Sequence, residues 1–133
     1  MNESNVYQPL NEYRQLWQKI VKVNLGEQDE LKSGKNILIG IIKNLKVCTS
    51  LNGDNMAFAS LIDFNGEINL IFFPKTWVRY EDKINEGDIV ALKGKIDINN
   101  SNKNRSFIAS KMLDIDRLLK KSFLGKSRKR GYK

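Results

Sequence analysis

Apolar and polar positions alternate in five segments between Ile37 and Asp116, and each segment has the length and composition of a β-strand. Ile, Val, Leu and Phe dominate the segments, and turn-forming residues separate them. Asn65-Gly66, between the second and third segments, is a strong two-residue hairpin signal. Pro74 ends the third segment, because proline removes a donor from the strand ladder. The predicted strands are residues 37–47, 56–64, 67–73, 89–98 and 105–115.

Two other stretches have helical spacing. Residues 75–84 carry apolar side chains, Trp77 among them, at i, i+3 and i+7, which predicts a helix between strands 3 and 4. Residues 9–23 carry a second apolar stripe that includes Leu16 and Trp17. This pattern predicts an N-terminal helix whose stripe packs against the strands or against a neighbouring domain.

The order strand, loop, strand, hairpin, strand, helix, strand, loop, strand is the plan of an OB-fold. We therefore expect an all-β protein with minor α content, built as a five-stranded Greek-key barrel. Such barrels bind single-stranded nucleic acid on the face of strands 2 and 3 and with the loops between strands 1 and 2 and strands 4 and 5. The predicted organisation is an N-terminal helix and linker (1–36), the barrel (37–117) and a basic tail (118–133).

The second predicted strand has two possible orientations. Ala57 and Ala59 alternate with Phe58 and Ser60, so one pair faces the interior and the other faces outward. Small alanines suit a tightly curved interior, which favours Phe58 on the outer surface as a platform for a base. The opposite orientation, with Phe58 in the core, is also compatible with the pattern. On strand 3 the alternation favours an outward Phe73.

The net charge of +8 is concentrated near the end of the sequence. From Lys120 onward there are seven basic residues and no acids, and the remaining 16 of the 23 Lys and Arg share residues 1–119 with all 15 acids. The high overall charge is therefore weak evidence about the barrel itself. For the barrel, the positions of the charges decide which partner it can take.

A sequence-tolerant site for single strands needs cations that follow the phosphates and flat side chains on which bases stack. The barrel offers both, together with polar residues in the two loops. Glu81, Asp82, Glu86 and Asp88 are expected on the opposite, acidic side. The candidate nucleic-acid-binding residues are Lys43, Lys46, Ser50, Asn52, Phe58, Ser60, Asn69, Phe73, Lys93, Lys95, Lys103 and Arg105.

The composition argues against several classes of chemistry. The sequence has no His and a single cysteine, Cys48, which excludes a Cys/His zinc site, a His-based triad and an internal disulfide. Asp63 and Glu67 flank the hairpin and are interpreted as solvated turn residues. Asp114 and Asp116 alone are too few carboxylates for a magnesium site. We expect a cytoplasmic binding module without catalytic residues, metal, cofactor, membrane contact or small-molecule substrate.

Several short runs, with Tyr80 among them, follow one another in a characteristic order and spacing: residues 61–63 (LID), 65–68 (NGEI), 73–74 (FP), 86–90 (EGDIV), 93–96 (KGKI) and 112–116 (MLDID). Together they resemble the OB domain near the C-terminus of the alpha (catalytic) subunit of bacterial DNA polymerase III. Residues 9–13 (PLNEY) resemble the segment that precedes this domain, and Tyr7-Gln8 stands where the family usually has Gly-His.

The resemblance implies a single-stranded DNA-binding module of, or derived from, a replicative polymerase, with other replisome subunits as further candidate partners. It carries over a general surface that includes Lys46 and Phe58, and no catalytic residue. Two alternatives stay open. The barrel could be an anticodon-binding tRNA domain, because Phe58, Leu61 and Asp63 also fit that style loosely. It could instead be a protein-interaction adaptor whose basic tail supplies non-specific affinity for nucleic acid.

Overall fold

The computed structural model describes residues 9–122, and five strands in this range close into a barrel. The strand order around the barrel is β1-β2-β3-β5-β4, with β3 and β5 parallel and all other neighbours antiparallel. The predicted OB-fold architecture is confirmed. The strands are β1 (Gly34–Thr49), β2 (Asn55–Ile62), β3 (Glu67–Phe72), β4 (Ile89–Ile98) and β5 (Arg105–Leu113).

Both predicted helices form, but each is shorter than its pattern indicates. The first, α1, covers Arg14–Ile20 after a separate helical turn at 9–11, and its C-cap residue Val21 is already extended. The second, α2, covers Pro74–Tyr80 and continues as a 3-10 turn over Glu81–Lys83. Proline suits the first helical position, where its missing N–H would have no intrahelical partner. Residues 115–122 are also helical.

The alternation on the central strands settles which side chains fill the barrel. Ala57 and Ala59 are buried, whereas Phe58 is 41% exposed. The orientation with Phe58 on the outside is therefore confirmed. On β3 the same period buries Phe72 and leaves Phe73, just after the strand, 45% exposed. The interior is a continuous apolar core in which Phe72 packs near Trp77 of α2, with ring centroids 5.6 Å apart.

A second apolar cluster covers the outside of the barrel. Leu10, Leu16 and Trp17 pack against Ile39 and neighbouring residues of β1 and β4, and helical residues 115–119 join the same cluster. The predicted packing of the N-terminal stripe against the barrel is confirmed. The two terminal segments also bond to each other: Lys19 Nζ donates to Ser122 Oγ at 2.9 Å.

Asp63 corrects the expectation of a solvated turn residue, because its side chain is completely buried. Its Oδ1 accepts the backbone N–H groups of Asn65 (2.9 Å) and Gly66 (3.1 Å), which closes the β2–β3 hairpin. Its Oδ2 accepts the indole N–H of Trp17 at 3.0 Å. Burial raises the pKa of Asp63, and these three hydrogen bonds oppose the rise. One carboxylate thus ties the N-terminal helix to the hairpin.

The contact of Tyr13 with Asp116 joins the same two terminal segments. The Tyr13 hydroxyl donates to Asp116 Oδ1 at 2.9 Å. Burial, reinforced by this carboxylate, raises the pKa of Tyr13 to about 12. Within residues 9–122, no helix is long and apolar enough to cross a membrane.

Candidate nucleic-acid interface

An irregularity in β1 places two lysines on the same outer surface. Lys43 lies opposite Ser60 and Lys46 lies opposite Phe58, so three steps along β1 match two steps along β2. This is a β-bulge. Without the extra residue, strict alternation would turn Lys46 toward the interior. With it, Lys46 is exposed and Leu45 packs on the core instead.

The bulge is stabilised by groups far away in the sequence. Asn44 adopts a left-handed conformation with φ of 55°, which Asn tolerates better than most residues. The Leu45 N–H donates to Glu86 Oε1 at 2.9 Å. Glu86 is therefore a positioning residue of this face and not only part of an acidic side. The sequence signals the turn around Gly87, but not that Glu86 reaches β1.

Two outward rows of side chains cross β1, β2 and β3 side by side. The first, the Phe58 row, consists of Lys46, Phe58 and Ile71, each opposite the next in the register. The second, the polar row, consists of Lys43, Ser60 and Asn69. Directly opposite residues bring their Cβ atoms within about 5.5 Å. A lysine residue is therefore the cross-strand neighbour of an exposed aromatic residue, and residues with hydrogen-bonding side chains lie in the adjacent row.

The polar row continues into a cleft at the β4–β5 loop. Asn69 lines this cleft, of about 600 Å³, together with the cations Lys103 and Arg105 and one acidic residue, Glu67. The loop is ordered by Asn99, whose Oδ1 accepts the N–H groups of Ser101 and the next residue at 2.8 and 3.2 Å. Positively charged residues therefore lie on both sides of Phe58: Lys46 on β1, and Lys103 and Arg105 at the β4–β5 loop.

The β1–β2 loop and Phe73 form a separate cleft, also of about 600 Å³. Asn52 lines it with Phe73, and so do the acidic residues Asp54 and Glu81. The expectation that the acids of the α2 region lie on the far side is therefore wrong for Glu81. Two carboxylates and a single lysine, Lys75, give this cleft less positive charge than the outer surface of β1 and β2 carries. Ser50 closes the loop: its N–H donates to the Asp54 carbonyl at 2.6 Å.

Lys93 and Lys95 lie on β4, outside the three strands that carry the Phe58 row and the polar row. They project from β4, where Lys95 lies opposite Lys35 of β1 and Lys93 lies opposite Lys111 of β5. We call these four residues the β4 lysine cluster. The sequence pattern does not identify Lys35 and Lys111 as candidate residues, because only strand pairing places them beside Lys93 and Lys95. The structure thus separates the twelve candidates into three groups. Lys93 and Lys95 belong to the β4 lysine cluster, and Ser50, Asn52 and Phe73 belong to the Phe73 cleft and its loop. The remaining seven form the Phe58 face: Lys43, Lys46, Phe58, Ser60, Asn69, Lys103 and Arg105.

The geometry is matched by a family of known proteins. Residues 37–115, which cover the five strands except the first three residues of β1, match the family model described as tRNA_anti-codon, OB-fold nucleic acid binding domain. The chain belongs to this OB-fold nucleic acid binding domain family. The matched residues contain the Phe58 row, the polar row and both loops, so every candidate residue lies inside the family domain.

Curated relatives of the OB domain confirm the resemblance found in the sequence. The chain is 27% identical over 111 residues to the DNA polymerase III subunit alpha of Treponema pallidum (strain Nichols), which covers 83% of this chain and 9% of that protein. It is 30% identical over 89 residues to the same subunit of Aquifex aeolicus (strain VF5), covering 67% of this chain and 8% of the relative. The chain spans less than a tenth of the length of these two relatives.

Solved structures share the fold at low sequence identity. A mitochondrial single-stranded DNA binding protein from S. cerevisiae superposes with a TM-score of 0.50 at 14% identity, covering 62% of this chain and 95% of that chain. RecG bound to a three-way DNA junction superposes with a TM-score of 0.50 at 18% identity, covering 76% of this chain and 14% of that chain. At these identities the likeness concerns the barrel architecture alone.

The outer surface of β1, β2 and β3 combines an exposed aromatic ring with positive charge. Phe58 is paired with Lys46, Lys43 lies at one end of the polar row, and Lys103 and Arg105 line the cleft next to Asn69. Ser60 and Asn69 add neutral donors and acceptors for base edges or sugars. Within residues 9–122, no three His, Cys, Asp or Glu side chains come together to hold a metal ion.

Proposed function

We propose that this OB domain binds single-stranded DNA across the Phe58 face, as a module of, or derived from, the alpha subunit of DNA polymerase III. The observation that carries the proposal is the pairing of Lys46 with Phe58 on adjacent strands, with Ile71 beyond. A base stacked on Phe58 would place its phosphate within reach of Lys46. Duplex DNA keeps its bases stacked inside and would leave the ring unused.

The two rows also suggest how the strand is held. Stacking on an aromatic ring accepts any base, because every base has a π-face. Lysine contacts to phosphates carry no sequence information either. We therefore expect weak base preference and an affinity that falls with salt, since each phosphate contact releases counterions. The role in this proposal is to hold template strand, and catalysis belongs elsewhere in the polymerase.

The curated relatives favour this function over tRNA binding, because the matched proteins are polymerase subunits at 27 and 30% identity. The family description nevertheless includes anticodon recognition. An anticodon-binding domain would prefer a tRNA loop to single-stranded DNA. A tRNA ligand therefore belongs in the test.

The test is fluorescence anisotropy with labelled single-stranded DNA, duplex DNA and a tRNA at low and moderate salt. It compares the full chain with residues 1–122, which keep the helical residues that pack on the barrel but remove five basic residues of the tail. We expect both forms to prefer single-stranded DNA. If only the full chain binds, and binds all three ligands equally, the tail is responsible and the barrel is an adaptor. A preference for tRNA in both forms would instead identify an anticodon-binding domain.

A further inference from the structure

The Phe58 row does not end at Ile71. Across the parallel pairing of β3 with β5, Ile71 lies opposite Ile108, and across β4 and β5 Ile108 lies opposite Lys95. Lys95 in turn lies opposite Lys35 on the first half of β1. One outward row thus crosses all five strands of the barrel. Its centre is apolar and consists of Phe58, Ile71 and Ile108, and lysines stand at both ends.

Neighbouring lysines at the far end of this row repel each other. Lys35 faces Lys95, and Lys93 faces Lys111, each as a directly opposed pair. Like charges in such positions destabilise a sheet. Among residues 9–122, no carboxylate forms an ion pair with these four amino groups. The nearest acid along β4 is Asp97, which lies opposite Ser106, the β5 residue that pairs with Asn69. A polyanion would relieve this repulsion.

The local backbone exposes this cluster by the same device that exposes Lys46. A register shift next to Gly94 leaves Ser110 as an extra residue on β5. Ser110 Oγ donates to the carbonyl of Lys93 at 3.0 Å, and Lys111 is thereby exposed opposite Lys93. At Gly94 itself a Cβ would collide with the carbonyl of Ile108, so only glycine fits between Lys93 and Lys95.

We propose that the β4 lysine cluster is a second contact site for the same single-stranded DNA. The cluster binds phosphates of the part of the DNA that extends past β3 and β5. The cleft beside it is lined by Lys35, Lys93, Lys95, Gly94, Ile108 and Ser110, without an aromatic ring. It therefore binds backbone and not bases. Four strand steps of about 4.8 Å separate Lys46 from Lys95, so the crossing spans roughly 19 Å of curved surface. This inference rests on the proposed function and extends its site.

The test uses the full chain and two oligothymidylates, one of about 6 nucleotides that covers the Phe58 face and one of about 16 that can reach β4. The test variant is K35Q/K95Q. The matched control is R79Q/K83Q, which removes the same charge from the α2 segment. K35R/K95R, which keeps the charge, is the rescue variant. Urea midpoints of all variants check the fold, and K35Q/K95Q is expected to match or exceed the unmodified chain because the variant removes a repulsive pair.

We expect the unmodified chain to bind the long oligonucleotide more tightly than the short one. K35Q/K95Q should lower the salt slope for the long oligonucleotide by roughly 1.4, at about 0.7 for each phosphate that a lysine no longer neutralises, which is roughly 25-fold in affinity at 0.1 M salt. Binding of the short oligonucleotide should be unchanged, and the control and the rescue variant should behave like the unmodified chain.

Different failures have different meanings. If the unmodified chain binds neither oligonucleotide, the proposed function itself is wrong. If it binds both and K35Q/K95Q equals the control on the long one, the second contact is overturned while the Phe58 site stands. If K35Q/K95Q weakens binding of both oligonucleotides equally, the second contact is also overturned, because the lysines would then affect DNA that is bound at the Phe58 face.

Discussion

At the scale of single residues, Phe58 is an aromatic side chain that folding leaves outside. The residue is 41% exposed because the alanines on either side of it point into the interior. The exposed part of its surface contributes no burial energy to the barrel. Its exposure is therefore available for stacking with a base.

Phe58→Ala should weaken binding of single-stranded DNA by about 1–3 kcal/mol, the value of one stacking platform. The slope of affinity against salt should not change, because every lysine that neutralises a phosphate is still present. Anisotropy titrations at three salt concentrations measure both quantities. Val78→Ala, which truncates an exposed apolar side chain on α2, is the matched control. Equal affinities in the two variants would assign the stacking role to another residue.

Asp63 shows the opposite behaviour, because folding buries its ionisable side chain completely. Burial raises its pKa, and the Trp17 hydrogen bond is one of the contacts that hold the rise back. A carboxyl group whose pKa is raised in the folded state binds more protons there than in the unfolded chain. Its contribution to stability is therefore largest at low pH and is lost as the pH rises through the folded-state pKa.

Trp17→Phe should cost about 1–3 kcal/mol at pH 7, because it leaves a buried acceptor without one of its donors. The variant raises the pKa of Asp63 further, so its penalty should grow from acid pH, below the ordinary Asp value of about 3.9, to neutral pH. Urea unfolding at pH 3.5 and pH 7 measures this difference. Trp77→Phe is the control, since the Trp77 indole N–H is buried without a partner among the described residues. A pH-independent penalty in Trp17→Phe would show that Asp63 is not charged in the folded protein.

At the scale of elements, the bulge in β1 decides what the barrel presents to a ligand. It depends on a left-handed residue at Asn44, with φ of 55°, and on the bond from Leu45 to Glu86. A regular strand of the same composition would bury Lys46 and expose Leu45. The binding face thus depends on one extra residue in one strand.

Asn44→Val should lose about 1–2 kcal/mol of stability, because a β-branched residue resists the left-handed conformation. Asn44→Gly should be within about 0.5 kcal/mol of the unmodified chain, since glycine adopts that conformation freely and the side chain of Asn44 is exposed. Urea unfolding compares the two. We also expect Asn44→Val to bind single-stranded DNA more weakly, because Lys46 is displaced. If the valine variant is as stable as the glycine variant, the bulge does not require this conformation.

At the scale of the whole molecule, the terminal segments are part of the packing. Leu16 and Trp17 share an apolar cluster with Ile39 of β1, and Ile115, Leu118 and Leu119 pack against the same cluster. A division into helix and linker, barrel and tail describes the order of the chain. The packing indicates that the N-terminal helix and the barrel unfold together.

In Trp77→Phe, Trp17 is the remaining tryptophan and reports on the junction between α1 and the barrel. Its fluorescence and the far-UV circular dichroism should follow one coincident urea transition, as a single cooperative unit requires. A fluorescence transition at lower urea than the circular dichroism would show that α1 detaches first. Leu16→Ala should shift both signals together by about 2–5 kcal/mol, because it leaves a cavity in the shared cluster.

Much of this arrangement is local and could be read from the sequence. The barrel follows from the strand periods and the Asn65-Gly66 hairpin. The outward direction of the Phe58 side chain follows from its alternation with Ala57 and Ala59, because side-chain direction in a strand has a period of two. The charge of Lys46 and its place on the first strand made it a candidate as well. The bulge in β1, which interrupts this period, could not be predicted in this way.

The tertiary structure alone decided the features that depend on distant partners. Glu86 bonds to Leu45, Trp17 bonds to Asp63, and strand pairing sets Lys35 opposite Lys95. Each of these contacts joins positions far apart in the chain, and no local pattern specifies such pairs. The sequence by itself therefore determined the fold and the kind of surface, through local periodicity. The closed barrel determined which charges share a face, because its register is set only when all five strands meet.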